Sequence, residues 1–172
     1  MRVVALDPSL TCTGVADSDR GPYVIVPPAG ITGEARNWQI LKAVILAVEG
    51  ADVVLIEGYA FGAKGRAVFD IAELGGVLRM GLYTRGVRVV EIPPSCVKTL
   101  ATGKGNSKKD AVLAEAIRRL GYEGSDHNEA DALWIMQGAL IHYGLPGAAK
   151  LPQAHLRGLD KIQWPTEPQA AT

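Results

Sequence analysis

The amino-acid sequence opens on the stretch that decides the fold, RVVALDPSLTCTGVAD, residues 2–17. After Arg2, residues 3–6 are apolar and begin with two β-branched valines, so that residues 2–6 predict a buried strand that ends at Asp7 and Pro8. A tight turn follows at residues 8–10, and residues 13–17 then predict a second strand. Residues 23–26 predict a third strand beyond the turn at 19–22, so we expect the three strands to pair as hairpins.

Downstream of this meander, helix and strand patterns alternate. Helices are predicted at 34–49, 65–85, 95–100, 107–120 and 126–143, and strands at 52–57 and 87–92. The near-continuous apolar run at 52–57 is typical of a central strand covered on both faces. Residues 144–172 contain four prolines and no sustained period, and they predict an extended tail. We therefore expect one α/β domain at 1–143, with a mixed sheet flanked by helices, followed by a C-terminal tail at 144–172.

Composition excludes several classes of protein. A chain of 172 residues that is 48% hydrophobic and 21% charged fits one globular domain. Its apolar runs are too short for a membrane span, which needs about 20 residues. The first strand begins directly after Met1, so no signal peptide is expected. Two distant cysteines, Cys12 and Cys96, predict neither a disulfide scaffold nor a paired-cysteine zinc site, and they favour a reducing cytoplasm.

Charge is unevenly distributed although it sums to zero, with 18 basic and 18 acidic residues. Zero net charge taken alone argues against a nucleic-acid binder. Between Lys98 and Arg119, however, six basic residues stand against two acidic ones, and residues 120–131 then carry four acidic residues and no Lys or Arg. Ordinary helix surfaces would explain this pattern, but so would an enzyme that binds a polyanion on one patch and metal on another.

Three carboxylates fall where an α/β sheet places its site. Asp7 ends the first strand, Glu57 ends the central strand, and Asp131 lies about one turn inside the last helix. Parallel neighbouring strands would bring the first two acids to one edge of the sheet. Three converging carboxylates repel one another unless a hard divalent cation neutralises them. Two Mg²⁺ ions about 4 Å apart could then activate water and stabilise the leaving oxygen in phosphodiester cleavage.

The residues that precede Asp131 have a structural role available. Asp126 and Glu129 have the spacing of a helix capping box. Asn128 lies three residues before Asp131 and so on the same helix face, where it could add an oxygen ligand or orient a water. His127 is expected to lie outside the ligand set.

Four motifs, taken in order, resemble those of RuvC-like Holliday junction resolvases in the RNase H-like superfamily. They are DPSLTCTG at 7–14, VLIE at 54–57, the basic segment 97–109 with GKGNSKK, and NEADAL at 128–133. The resemblance covers residues 1 to about 143. It implies a mixed five-stranded sheet, three strands antiparallel and then two parallel, flanked by helices. It also implies nicking of four-way DNA junctions by a homodimer that depends on Mg²⁺ or Mn²⁺.

Carried over residue by residue, the resemblance implies that Asp7, Glu57 and Asp131 bind the metal. The family usually has Asp or His where this chain has Asn128, whose amide oxygen is a weaker ligand and no general base. The fourth ligand therefore stays open, with Asp126 or Glu129 as substitutes from a neighbouring turn.

Two loops are predicted to contact DNA. Lysines beside a glycine-rich helix start can meet phosphate with side-chain charge and backbone N–H groups together. In the glycine-punctuated loop after Glu57, an aromatic ring is expected to stack on a base, worth roughly 1–3 kcal/mol; core packing explains Phe61 equally well. The predicted DNA-contacting residues are Lys98, Lys104, Lys108 and Lys109 in the first loop, and Tyr59, Phe61, Lys64 and Arg66 in the second.

Three other functions are compatible with parts of this pattern. An actin-like ATPase or sugar kinase shares the strand topology, but it needs small flexible residues where this chain has Pro8 and Ser9, and it encloses its nucleotide between two such domains; no nucleotide cofactor is expected. A nuclease for flaps, branched DNA or RNA–DNA hybrids, and a module that binds junctions without cutting, are the further alternatives.

Paired nicks on a four-way junction call for two active sites related by a dyad, so a homodimer is expected. The helix at 65–85 is predicted to form the interface, because Gly75, Gly76 and Gly81 would let two backbones approach. Val77, Met80 and Tyr83 lie off its main apolar stripe and could face a partner chain. Burial of this helix on two sides within the monomer would explain the same pattern.

Overall fold

A five-stranded mixed sheet forms the centre of the molecule. The computed structural model describes residues 1–59 and 65–165. In it the strands are β1 (Val3–Asp7), β2 (Thr13–Asp17), β3 (Gly21–Ile25), β4 (Val53–Glu57) and β5 (Val89–Ile92). Their order in the sheet is β3-β2-β1-β4-β5, with β1–β3 antiparallel and β4 and β5 parallel to β1. The predicted mixed sheet and its hairpin and crossover pairings are confirmed. The third strand begins two residues earlier than predicted, because Gly21 and Pro22 extend its pairing with β2.

Helices cover both faces of this sheet. They are α1 (Gly33–Val48), α2 (Arg66–Tyr83), α3 (Pro94–Thr102), α4 (Lys109–Leu120), α5 (His127–His142) and the one-turn α6 (Gln153–Leu156), followed by a 3₁₀ turn at Leu159–Lys161. Every residue of β1 and β2 is buried, as expected of strands covered on both sides. Among the described residues, no helix is long and apolar enough to cross a membrane.

Alternation along the strands divides the core in two. Val4 and Leu6 of β1 face one cluster, which contains the apolar residues of α1 and α2. Val3 and Ala5 face the other, which contains those of α3, α4 and α5. The period of two along each strand thus supplies both faces from one short run of apolar residues.

The segment after α5 is not the extended tail that its prolines predicted. Residues 144–165 fold back onto α3 and α5, with α6 and the 3₁₀ turn on the way. Ile162 is 7% exposed, and the Trp164 ring stacks on His142 with 4.1 Å between ring centroids. Single apolar residues at irregular intervals make these contacts, so the sequence shows no period. The division of the chain at residue 143 stays a prediction, since a shared core joins the two parts.

Helix α5 approaches β2 closely at Gly14. A Cβ atom at this position would lie well inside 3.0 Å of the backbone carbonyl of Asn128, closer than real Cβ atoms approach. Gly14 is also the residue paired with Asp7 across the β1–β2 ladder. The missing side chain therefore lets the start of α5 lie directly beside the end of β1.

Candidate active site

Three acidic side chains are delivered to one edge of the sheet by three different elements. Strands β1 and β4 are parallel neighbours with Leu6 opposite Ile56, so Asp7 and Glu57 end side by side. Helix α5 adds Asp131 one turn after its contact with Gly14. Asp7 is 4% exposed and Asp131 8% exposed, so these carboxylates are held largely away from water. The predicted convergence of two strand ends and the last helix is present.

Burial raises the pKa of all three groups, and repulsion from a neighbouring carboxylate adds to the shift of Asp7 and Glu57. For Asp7, burial raises the pKa well above its ordinary value, and the charges of Glu57 and Asp131 raise it further. Burial raises the pKa of Glu57 to about 7. Burial also raises the pKa of Asp131, although the ammonium of Lys109 opposes that shift. Because the three acids resist being ionised at the same time, the site favours the addition of a positive charge.

Lys109, the first residue of α4, supplies one such charge. Its Nζ lies 3.5 Å from Oδ2 of Asp131, and the lysine side chain is 60% exposed. Burial lowers its pKa, but the charges of Asp131, Asp7 and Glu57 outweigh burial and the net shift is upward. The sequence predicted Lys109 as a DNA contact; the structure places it at the carboxylates themselves, between the acidic site and solvent.

Asp126 is the N-cap of α5, as its sequence position predicted. Its Oδ1 accepts hydrogen bonds from the backbone N–H groups of Asn128 (2.8 Å) and Glu129 (3.0 Å). The reciprocal half of the capping box is different, because the Tyr122 hydroxyl stands between the two residues. It accepts from the N–H of Asp126 (3.2 Å) and donates to Oε2 of Glu129 (2.5 Å). Both acids that could have replaced the fourth ligand are thus engaged in holding the helix start.

Asn128 has a structural partner that the sequence did not indicate. Its Nδ2 donates a 2.8 Å hydrogen bond to the backbone carbonyl of Cys12, in the loop that joins β1 to β2. This bond ties α5 to the loop that follows Asp7. The role of Asn128 as a metal ligand stays a prediction. His127 lies outside the acidic cluster, with Nε2 3.6 Å from Asp110.

The donor set fits a hard divalent cation in chemistry. Asp7, Glu57 and Asp131 supply only carboxylate oxygens, which Mg²⁺ and Mn²⁺ prefer. Across residues 1–59 and 65–165, no three His, Cys, Asp or Glu side chains are yet grouped tightly enough to hold one ion. Asp7 instead shares a hydrogen bond with Glu57, while Asp131 is paired with Lys109. These pairings are what neighbouring carboxylates adopt when protons and a lysine carry the compensating charge.

The predicted DNA-contacting residues lie on two sides of this edge. Lys98 of α3 is near enough for its charge to lower the pKa of Glu57 against the effect of burial. Lys104 and Lys108 are exposed in the loop between α3 and α4, and Arg66 is exposed at the start of α2. Phe61 and Lys64 lie outside the described residues.

Tyr59 is held by a residue that the sequence reasoning missed. The guanidinium of Arg79 lies 4.5 Å from the centre of the Tyr59 ring. Arg79 also donates to Oε2 of Glu91 (2.7 Å) and to the backbone carbonyl of Glu57 (3.3 Å). The only signal in the sequence was Gly75, whose missing side chain makes room for the tyrosine ring. With one ring face covered by Arg79, the stacking role of Tyr59 stays a prediction.

Comparison with known proteins agrees with this geometry. No protein-family model matches the chain. A crossover junction endodeoxyribonuclease RuvC of Mycobacterium ulcerans is 31% identical over 167 residues, covering 90% of this chain and 90% of the relative. The RuvC of Paenarthrobacter aurescens is 30% identical over 155 residues, covering 83% of this chain and 80% of the relative. The chain belongs to the RuvC family. The resemblance drawn from the motifs is confirmed.

Solved RuvC structures share the fold. A structure of Thermus thermophilus RuvC in complex with Holliday junction substrate aligns with a TM-score of 0.67 at 22% identity, covering 87% of this chain and 98% of that one. A second T. thermophilus RuvC structure aligns with a TM-score of 0.65 at 21% identity. The RNase H-like arrangement of this RuvC-family chain is thereby shown.

The raised carboxyl pKa values predict a pH-dependent stability. The folded-state pKa of Glu57, about 7, exceeds its ordinary value of 4.5, so the folded chain favours the neutral acid. Its contribution to stability is full below pH about 4.5 and is lost as pH rises through about 7. At pH 8 in a chelator, Glu57→Gln should therefore raise the free energy of unfolding by up to about 3 kcal/mol, the equivalent of that pKa change. Urea unfolding at pH 4 and pH 8 measures the difference.

Glu123→Gln is the matched control for this measurement, because Glu123 is exposed on the loop before α5. It should change stability equally little at both pH values. A Glu57→Gln variant whose stability follows the wild-type pH profile would show that Glu57 titrates without strain in the folded chain.

Proposed function

We propose that this RuvC-family chain is a metal-dependent endodeoxyribonuclease that resolves four-way DNA junctions by paired symmetric nicks. The observation that carries the proposal is the trio of buried carboxylates at the sheet edge, in a chain at least 30% identical to RuvC resolvases over most of its length. In this proposal the enzyme acts on DNA in a reducing cytoplasm, the compartment that its two distant cysteines also favour.

In this proposal Asp7, Glu57 and Asp131 hold the metal, Mg²⁺ or Mn²⁺, with two ions per site and Asn128 as the fourth ligand. Bound ions of this kind supply a nucleophile from water and charge stabilisation at the leaving oxygen. The protein's own contribution is the preorganised edge. Because the three acids are buried and mutually repelling, they bind a dication in place of the protons and the lysine that now compensate them.

Lys109 has a separate part in the proposal. Once metal compensates Asp131, the Lys109 ammonium is free to contact a phosphate oxygen of the DNA at the same edge. Its exposure of 60% leaves it accessible to a backbone that enters from solvent. The lysine would thus hold the substrate at the carboxylates, which is where cleavage has to occur.

The function is tested by the substrate panel that separates it from its alternatives. The purified chain is incubated with a four-way junction, a flap, an RNA–DNA hybrid and a linear duplex, each with Mg²⁺ or Mn²⁺. We expect paired nicks at symmetric positions in the junction and little cleavage of the linear duplex. Preferred cleavage of the flap or the hybrid would assign the site to that substrate instead, and binding without cleavage would leave a recognition module.

Helix α2 is the proposed dimer interface. Phe69, Met80 and Tyr83 are 76%, 63% and 76% exposed in the single chain, and a Cβ atom at Gly76 would meet nothing within 4 Å. The other residues predicted to face a partner are used inside the monomer. Val77 packs on the core beneath α2, and a side chain at Gly81 would clash with Leu41 of α1.

Met80→Glu together with Tyr83→Glu should therefore convert the dimer to monomers. Burying two carboxylates in an apolar contact costs several kcal/mol, so the dimer dissociation constant should rise at least about 100-fold. Light scattering at micromolar concentration measures the mass. Ile117→Glu is the matched control, since Ile117 is 50% exposed on α4, across the sheet, and should leave the dimer intact. A wild-type chain that stays monomeric with junction DNA bound would contradict the paired-nick mechanism.

Lys104→Ala and Lys108→Ala should each weaken junction binding and reduce its salt dependence. Affinity falls as salt rises, and removing one lysine–phosphate pair makes the slope of log affinity against log salt less steep by about 0.9. Titrations in EDTA at several salt concentrations measure the slope. Lys42→Ala on α1 is the control, because α1 covers the opposite face of the sheet. An unchanged slope for both loop variants would place the loop away from DNA.

A further inference from the structure

The folded C-terminal segment builds one wall of a basic cavity. Its 3₁₀ turn packs on α3, where a Cβ at Gly158 would lie 3.3 Å from the backbone of Cys96. Buried His155 makes a 2.8 Å hydrogen bond through Nδ1 to the backbone carbonyl of Leu100. These contacts fix residues 153–162 against the end of α3 and the glycine-rich loop that follows it.

The space enclosed there has a volume of about 490 Å³. Three cations line it, and no carboxylate of the described residues does. None of the three forms an ion pair within residues 1–59 and 65–165. Hydroxyl and amide groups complete the wall. The polar lining residues are Lys104, Arg157, Lys161, Ser95, Thr99 and Asn106.

Arg157 is oriented by the loop itself. Its Nη2 donates to the carbonyl of Gly103 (3.1 Å) and its Nε to the carbonyl of Ala154 (3.0 Å). An arginine carries five N–H donors, so those on Nη1 remain for a ligand. The positive charge of Lys161 opposes the upward pKa shift that burial gives the Cys96 thiol, which places its ammonium near the cavity wall.

A second cavity adjoins the first on the side of the active-site edge. A neighbouring cavity of about 350 Å³ is lined by Gly58 and Tyr59, the two residues after Glu57, by Lys98, and by Glu91, whose carboxylate is paired with Arg79. The two cavities share Ser95 and Gly105. The two adjoining cavities therefore extend from the end of β4, past Lys98 and Lys104, to Arg157 and Lys161 in the C-terminal segment.

We propose that Arg157 and Lys161 bind backbone phosphates of the DNA arm that leaves the active site, so that the C-terminal segment is part of the DNA interface. The proposal rests on the proposed function and extends it to residues outside the motifs. Uncompensated cations that converge on one cavity repel one another, and a polyanion relieves that repulsion with release of its counterions. Because the adjoining cavity begins at Gly58, next to Glu57, the polyanion that fits this surface is the DNA bound at the carboxylates.

The experiment measures binding of the full chain to a four-way junction and to a linear duplex in EDTA, at about 50 to about 200 mM salt. We expect Lys161→Gln to make the slope of log affinity against log salt less steep by about 0.9. The double variant with Arg157→Gln should make it less steep by about twice that amount. Lys161→Arg should retain the wild-type slope. Lys161 is the principal probe because its side chain makes no hydrogen bond within the described residues, so its replacement leaves the segment's packing intact.

Lys42→Gln, on the opposite face of the sheet, should bind both DNAs like the wild type. Wild-type slopes for Lys161→Gln and the double variant would overturn the proposal while leaving the proposed function standing. If the wild-type chain neither prefers nor cuts the junction, the proposed function fails, and the slope on linear duplex then decides the phosphate site separately. A melting temperature raised by inorganic phosphate in the wild type but not in the double variant, with unchanged DNA slopes, would assign the cavity to a small anion and overturn the DNA assignment.

Discussion

Asp7→Asn, Glu57→Gln and Asp131→Asn should each reduce cleavage of a four-way junction at least about 1,000-fold, an increase of about 4 kcal/mol in the activation barrier. Each amide keeps the size of the acid but removes the charge that binds a dication. The three acids come from β1, β4 and α5, so no neighbour on the same element can replace a missing one. Single-turnover cleavage in saturating Mg²⁺ and Mn²⁺ measures the reduction.

Junction binding in EDTA should stay within about threefold of wild type for all three variants, because removing a carboxylate removes repulsion of the DNA and of its neighbours. Asp110→Asn is the matched control. Asp110 lies next to Lys109 on α4, but its side chain is 92% exposed, and the variant should cleave like wild type. Residual cleavage within tenfold of wild type for any of the three would exclude that residue from the metal site.

The positions of Asp7 and Glu57 could be predicted because they follow from strand ends. A β-branched run that stops at an acid places that acid at the carboxyl edge of a parallel sheet, whatever the side chains around it do. The helices could be predicted from local patterns as well, and the start of α5 could be predicted from Asp126, a residue that caps well. Local patterns of this kind need no knowledge of distant contacts.

Side-chain partners across the chain could not be predicted in the same way. Asn128 binds the carbonyl of Cys12, Lys109 pairs with Asp131, and Arg79 joins Glu57, Tyr59 and Glu91. Each depends on how two elements distant in sequence come together. The prediction of an extended tail after α5 was wrong for a related reason. The isolated apolar residues of this segment contact α3 and α5 without any period of their own.

The contacts made at glycine positions could be predicted only in part. Gly75 and Gly76 in α2 predicted a close approach of another backbone; within the chain the structure places the Tyr59 ring at Gly75, and the approach of a partner chain at Gly76 stays a prediction. Gly14 carried no such prediction beyond its place in the first motif. It nevertheless lies directly against the start of α5, and its partner across the ladder is Asp7. The geometry of the site therefore depends on the absence of one methyl group.

Gly14→Ala should accordingly destabilise the fold by about 3 kcal/mol or more, at the upper end of the cost of overpacking a core. The added methyl would overlap the carbonyl of Asn128, and that atom belongs to helix backbone, which cannot rotate away as a side chain does. Relief requires the start of α5 to move off β2, which moves Asp131 away from Asp7. We therefore expect cleavage to fall at least about 100-fold even where the variant is still folded, at low temperature and low denaturant. Denaturant unfolding and single-turnover cleavage measure the two effects.

Gly138→Ala is the control on the same helix: its methyl would make ordinary contacts, 3.4 Å from Leu100, and alanine is the better helix former by about 1 kcal/mol. Equal stability of the two variants would show that α5 does not depend on its close contact with β2.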